Sequence, residues 1–218
     1  MSLLEFARGP MLAIALVVMA AGIVVRLRAI LRAPPAPGAS AERPTVALGE
    51  IVKPIVRRVI LPRELRARIG FGDVNAWLFH IGLLVAAVAY APHIAFVRRL
   101  TGFVAWPALP DIVTYFCGAL CIVSLIIALM HRLSHPAMRL ISRFDDYFSW
   151  CVTFLAVATG MMAVDANVAR TDTMLAIHLL AVELMLIWLP FGKLSHAFLL
   201  FVSHGLTSAE PVRKGARP

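Results

Sequence analysis

Residues 176–205 read AIHLLAVELMLIWLPFGKLSHAFLLFVSHG, a stretch apolar enough for a lipid bilayer that nevertheless carries Glu183, Lys193 and three histidines. An ionisable side chain in hydrocarbon is costly unless it is paired, ligated or turned toward a bundle interior, so each such residue is a functional-site candidate. The rest of the chain decides which kind of site it is.

Of the 218 residues, 61% are hydrophobic and 15% charged, against roughly half apolar content in soluble domains. The chain therefore reads as a membrane protein. Its formal net charge of +9 gathers between apolar runs, which points to membrane lipid rather than nucleic acid as the partner of the cations. Cys117, Cys121 and Cys151 all lie inside apolar runs, with no CxxCH or CxxC motif and no zinc-like spacing, so they read as small packing residues.

A membrane-crossing helix needs about 20 mostly apolar residues. Five segments qualify, at about 10–28, 76–97, 111–131, 147–165 and 173–203, giving an all-α bundle of five transmembrane helices in one membrane domain, 1–218. The first run, Met11 to Val25, is followed by Arg26, Arg28 and Arg32 and has no A-x-A cleavage site, so it reads as a retained helix. Lys and Arg crowd the first connection, the third connection (Arg132, Arg139, Arg143) and the tail, whereas Arg8, Arg98, Arg99 and Arg170 lie opposite. Positive residues stay inside, so the N-terminus is expected outside and the C-terminus in the cytoplasm, in a bacterial inner membrane. Within this domain, residues 33–72 form a cytoplasmic connection that begins with the Pro/Ala linker RAPPAPGASAERP, expected to be extended. Residues 46–69 mix apolar residues with arginines; they suit either an amphipathic segment on the membrane surface or a docking site for a soluble partner.

Seven histidines are present, and four fall within spans as two pairs. His178 and His196 are 18 residues apart, about five turns of an ideal helix and about 27 Å, so both rings would leave one face. His80 and His93 are 13 residues apart, about 20 Å, with their directions about 140° apart on a straight helix. Pro92 and Pro190 are placed to kink these spans. Spans two and five run in opposite directions, which sets His80 beside His196 at the cytoplasmic end and His93 beside His178 at the outer end. Two facing imidazoles at each of two depths suit two bis-histidine haems, with the second nitrogen of each ring held by a carbonyl or hydroxyl. His131, His135 and His204 sit at span ends and read as solvated.

Three segments also resemble a known family. WLFHIGLL (Trp77 to Leu84), DDYFSWCVTFLAVATG (Asp145 to Gly160) and LPFGKLSHAFLLF (Leu189 to Phe201) resemble motifs of the cytochrome b gamma subunit of respiratory nitrate reductase and its relatives in sulfite-reductase-associated and heterodisulfide-reductase-like complexes. The resemblance implies an inner haem b on His80 and His196 and an outer one on His93 and His178. The nitrate reductase subunits place the second histidine where Tyr90 stands here; His93 matches the depth of His178 better. The resemblance further implies electron transfer between membrane quinone at the outer haem and a cytoplasmic iron-sulfur or reductase subunit at the inner one, with substrate catalysis in another subunit. Tyr90, Arg98 and Arg99 are then candidates for the quinone site, the arginines being equally suited to lipid headgroups, and Lys193 is a candidate partner for a haem propionate or the interface. Glu183 reads as an acid hydrogen-bonded to a neighbouring helix or part of a proton path. The alternatives are a single-haem cytochrome on His80 and His196, or a haem-free anchor or proton relay.

Overall fold

Apolar residues run along almost every helix of this chain, so what separates the elements is punctuation by proline, glycine and capping acids. In the computed structural model residues 1–32, 70–103, 106–164 and 172–200 are described. Helix α1 spans Leu3–Leu31. It opens on a capping box in which Ser2 Oγ accepts from the Glu5 amide at 3.2 Å and Glu5 returns a carboxylate to the Ser2 amide at 2.7 Å. A π-helical turn at Ala7–Met11 contains Pro10, which lacks the N–H of a regular ladder. Helix α2, Phe71–Val88, is capped by Asp73, which accepts from the Gly70 amide. Helix α3 covers Ala91–Thr101 and carries Pro92 in its first turn. Helix α4 is Asp111–Ser134, and the short α5 is Pro136–Ile141. Helix α6 is Phe144–Val164, α7 is Asp172–Trp188, and α8 is Lys193–Leu200.

Four helices, α1, α2, α4 and α6, are long and apolar enough to cross a membrane. The pair α7 and α8 passes the same test as a broken span, bent by 78°. The structure is thus an all-α multi-span bundle, in the manner of a multi-pass membrane protein. The N-terminal helix is longer than the sequence suggested, and both histidine-bearing spans are broken rather than gently kinked. Two expectations built on straight helices therefore fail: His178 and His196 do not share one continuous helix face, and Pro92 begins a new helix instead of bending an old one. The connection 33–69 and His204 lie outside the described residues.

The helices pack in the order α1, α7, α6, α4, α2. Close approaches fix their register. A Cβ on Gly82 of α2 would meet the Cys117 carbonyl of α4 at 2.7 Å, and one on Gly118 would meet Met161 Sδ of α6 at 2.5 Å. Asn75 Nδ2 donates to the Ser124 carbonyl at 2.9 Å, and Trp150 Nε1 donates to that of Leu125 at 2.8 Å. These pairings make α2, α4, α6 and α7 successively antiparallel. Helix α1 runs parallel to α7: its first residues meet α7, and Gly22 meets Pro190 at 2.5 Å from a notional Cβ. The helix bearing His80 and the helix bearing His178 are therefore antiparallel, yet neither is the other's main packing neighbour.

Candidate functional site

The interruptions in the two histidine-bearing spans create the site. Helix α2 stops at Val88 because the chain turns extended at Tyr90, ahead of the proline-bearing start of α3. Its last carbonyls lose their ladder partners, and each finds another. His93 Nδ1 lies 3.1 Å from the Ala86 and Ala87 oxygens, Trp106 Nε1 donates to Val88 O at 3.0 Å, and the Leu109 amide donates to Ala89 O at 3.0 Å. The break that frees the carbonyls thereby aims the imidazole.

The second interruption falls after Trp188, where Pro190 cannot continue the ladder. Arg26 of α1 donates from Nε to Pro190 O at 2.9 Å and from Nη2 to Phe191 O at 3.0 Å. Trp188 Nε1 donates to Ser149 Oγ at 2.9 Å, and Ser149 in turn donates to Asp145 Oδ1 at 2.8 Å. Gly192 is required here, since a Cβ would collide with the Trp188 indole and meet Asp145 Oδ1 at 2.8 Å. Asp145 Oδ1 also accepts from the Lys193 amide at 3.0 Å. The Asp145–Asp146 and PFGK segments, separate in sequence, thus form one joint that carries His196.

Across the opening between α2 and the broken span, the rings pair. His80 and His196 have ring centroids 6.0 Å apart with planes at 79°, and His93 and His178 have centroids 6.2 Å apart with planes at 22°. Two imidazoles bound through Nε2 on opposite sides of one metal ion at about 2.0–2.1 Å would place their centroids about 6.3–6.5 Å apart, slightly wider than either pair here. All four Nδ1 atoms are engaged. His80 Nδ1 reaches Ala76 O at 2.7 Å, His196 Nδ1 reaches Lys193 O at 2.7 Å, and His93 is held as above. His178 Nδ1 lies 3.3 Å from Thr159 Oγ1, whose hydroxyl donates to Leu155 O at 2.6 Å and so accepts from the ring. A neutral imidazole that donates from Nδ1 keeps Nε2 as its acceptor, the tautomer of a metal ligand. His178 also lies against Gly160, where a Cβ would meet Cε1 at 2.9 Å.

Among the described residues no group of three or more His, Cys, Asp or Glu side chains could hold a metal ion. The fold brings two imidazoles together at each of two places, a number that would suit an ion whose other ligands come from a macrocycle and does not suit a zinc or calcium site.

The structure places the remaining candidates as follows. Tyr90 is half-buried, with its ring 5.2 Å from that of His93 and 6.1 Å from that of Tyr115. Arg98 and Arg99 are exposed in the last turn of α3. Lys193 has a partner that sequence reasoning did not find: Asp146 Oδ1 takes its Nζ at 2.5 Å and Arg132 Nη1 at 3.0 Å. Arg26, in sequence only a topological signal, likewise has partners in the fold. Glu183 is 1% exposed, and both its carboxyl oxygens lack a hydrogen-bond partner. His131 and His135 are exposed, with ring centroids 4.0 Å apart and planes tilted by 31°. The three cysteines are free; Cys121 is buried and packs near Gly82.

No protein-family model matches the chain, and no solved structure matches it. A protein of Nitratidesulfovibrio vulgaris (strain Hildenborough), described only as "Protein", is 34% identical over 135 residues, 62% of this chain and 59% of that relative. The chain thus spans less than two thirds of the length of the relative it matches.

Proposed function

We propose that the chain is a di-haem b subunit of a bacterial inner-membrane oxidoreductase complex, passing electrons between membrane quinone and a cytoplasmic iron-sulfur or reductase partner. The observation that carries this reading is the pair of facing imidazoles at each end of the opening, 6.0 and 6.2 Å between centroids, with every Nδ1 occupied. In it, His80 and His196 hold one haem iron and His93 and His178 the other. Haem supplies one-electron chemistry when bound. The chain's own residues orient the ligand rings and keep Nε2 unprotonated. Tyr90, half-buried against His93, and the basic Arg98 and Arg99 suit an acceptor-bearing quinone headgroup at the outer end. Substrate chemistry belongs to the partner, and the basic cytoplasmic connection suits its docking.

A haem-free anchor or proton relay is the competing reading. It draws on the lack of any three-ligand cluster among the described residues and on Glu183, a buried acid without a partner. A single-haem cytochrome on His80 and His196 stands between the two. Haem-to-polypeptide stoichiometry with a reduced-minus-oxidised spectrum, on protein expressed with ample haem supply, separates all three. Two haems are expected, and His93→Ala should remove one of them. A colourless preparation would leave the haem-free reading; one haem in the parent chain would leave the single-haem form.

A further inference from the structure

Two adjacent acids at the start of α6 converge on one lysine, and that lysine holds a histidine. Asp145 Oδ1 accepts from the Lys193 amide at 3.0 Å, Asp146 Oδ1 accepts from Lys193 Nζ at 2.5 Å, and Lys193 O stands 2.7 Å from His196 Nδ1. Lys193 is therefore fastened through its N–H, its ammonium and its carbonyl. Asp146 is also shared with Arg132 at 3.0 Å, its side chain only 2% exposed, and its Oδ2 accepts from the Arg143 amide at 2.9 Å. Asp146 thus balances two cations, one of them carried by the residue whose carbonyl meets His196 Nδ1.

We propose that Asp145 and Asp146 are positioning residues for His196, acting through Lys193: Asp145 fixes the ring through the Lys193 backbone, and the Asp146–Lys193–Arg132 charges set the electron affinity of the group His196 binds. This rests on the haem reading of the preceding section. Removing the charge of Asp146 would leave Lys193 and Arg132 without their shared anion and would favour the reduced form of that group. Removing the charge of Lys193 leaves a neutral Asp146–Arg132 pair and favours the oxidised form. Lys193 is 56% exposed and Asp146 almost wholly buried, so solvent screens the lysine more and its effect is the smaller. A merely structural loosening would not reverse sign between the two variants.

The test is potentiometric titration of the full chain, with the His80–His196 haem identified in a His93→Ala background. Asp146→Asn is expected to raise the reduced-to-oxidised ratio of that haem three- to tenfold at a fixed poise, tenfold being about 59 mV for a one-electron couple. Lys193→Met is expected to lower it by less, with the outer haem unmoved by either. Asp145→Ala should alter the low-spin electron paramagnetic resonance signal of the inner haem, and Asp145→Asn, which keeps an acceptor oxygen, should restore it. Shifts of one sign in both charge variants, equal shifts at both haems, or an unchanged signal in Asp145→Ala would overturn the proposal while two haems per chain leave the functional reading standing. Should Asp146→Asn fail to insert, Arg132→Gln and Lys193→Gln must each lower the ratio and their combination lower it further; no lowering overturns the proposal. A parent chain without haem removes the functional reading and this inference together.

Discussion

Gly160 shows how closely a single residue is bound to the outer histidine pair. It sits on α6 where His178 reaches across from α7, and a Cβ there would stand 2.9 Å from the ring, closer than a carbon packs without displacement. Gly160→Val is therefore expected to push His178 out of line with His93 and to lower occupancy of the outer site by at least half, leaving the inner site filled. With haem bound as proposed, the two sites could be told apart by magnetic resonance, because near-perpendicular imidazole planes at His80–His196, 79°, and near-parallel ones at His93–His178, 22°, would give low-spin iron signals of unequal anisotropy. The variant should lose the less anisotropic of the two. Loss of the other signal would reverse the assignment of the pairs. The four histidines themselves stand out in the sequence because each is a polar ring in an apolar run. Their Nδ1 partners do not stand out: those of His80, His93 and His196 are backbone carbonyls, and that of His178, Thr159, is one hydroxyl among several in α6.

At the scale of elements, the site depends on two broken spans, and each break is held from outside its own helix. Periodicity finds a helix but is blind to a break that a distant residue stabilises, so the prolines signalled a kink while the 78° bend needed the structure. Arg26 is the clearest case. From the sequence it is one of several cytoplasmic arginines; in the fold it donates to both carbonyls released beside Pro190. Arg26→Ala leaves those two oxygens without their charged donor, and since one of these bonds is solvent-exposed the expected loss is about 1–2 kcal/mol. Thermal unfolding in detergent should show a lower midpoint, and Arg26→Lys, a point donor that cannot fork across two carbonyls, should recover only part of it. An unchanged midpoint in Arg26→Ala would mean that water replaces the arginine at no cost. The same blindness explains Lys193. A cation three residues before a span histidine suggested a cofactor carboxylate, because the acid that pairs with it, Asp146, lies 47 positions earlier.

For the whole molecule, the antiparallel run of α2, α4, α6 and α7, with α1 parallel to α7, follows from pairings such as Asn75 with Ser124, Trp150 with Leu125 and Trp188 with Ser149. It gathers Ser2, α3 with Arg98 and Arg99, and the His93–His178 pair at one end. The opposite end holds Arg26, Arg28, Arg132, Arg139, Arg143 and Lys193 together with the His80–His196 pair. The helical class and most span positions were open to hydropathy alone, because about 20 apolar residues leave few alternatives. Which end faces the cytoplasm is a matter of charge retention, and the excess of arginine at the His80–His196 end is the basis for proposing that end inside. Reporter fusions decide it: alkaline phosphatase joined after residue 103, at the end of α3, is expected to be active and one joined after residue 141, at the end of α5, inactive, with a fluorescent protein showing the reverse. Active phosphatase after residue 141 would turn the molecule over. The proposed quinone site at the Tyr90 end and the proposed partner surface at the Lys193 end would then exchange faces.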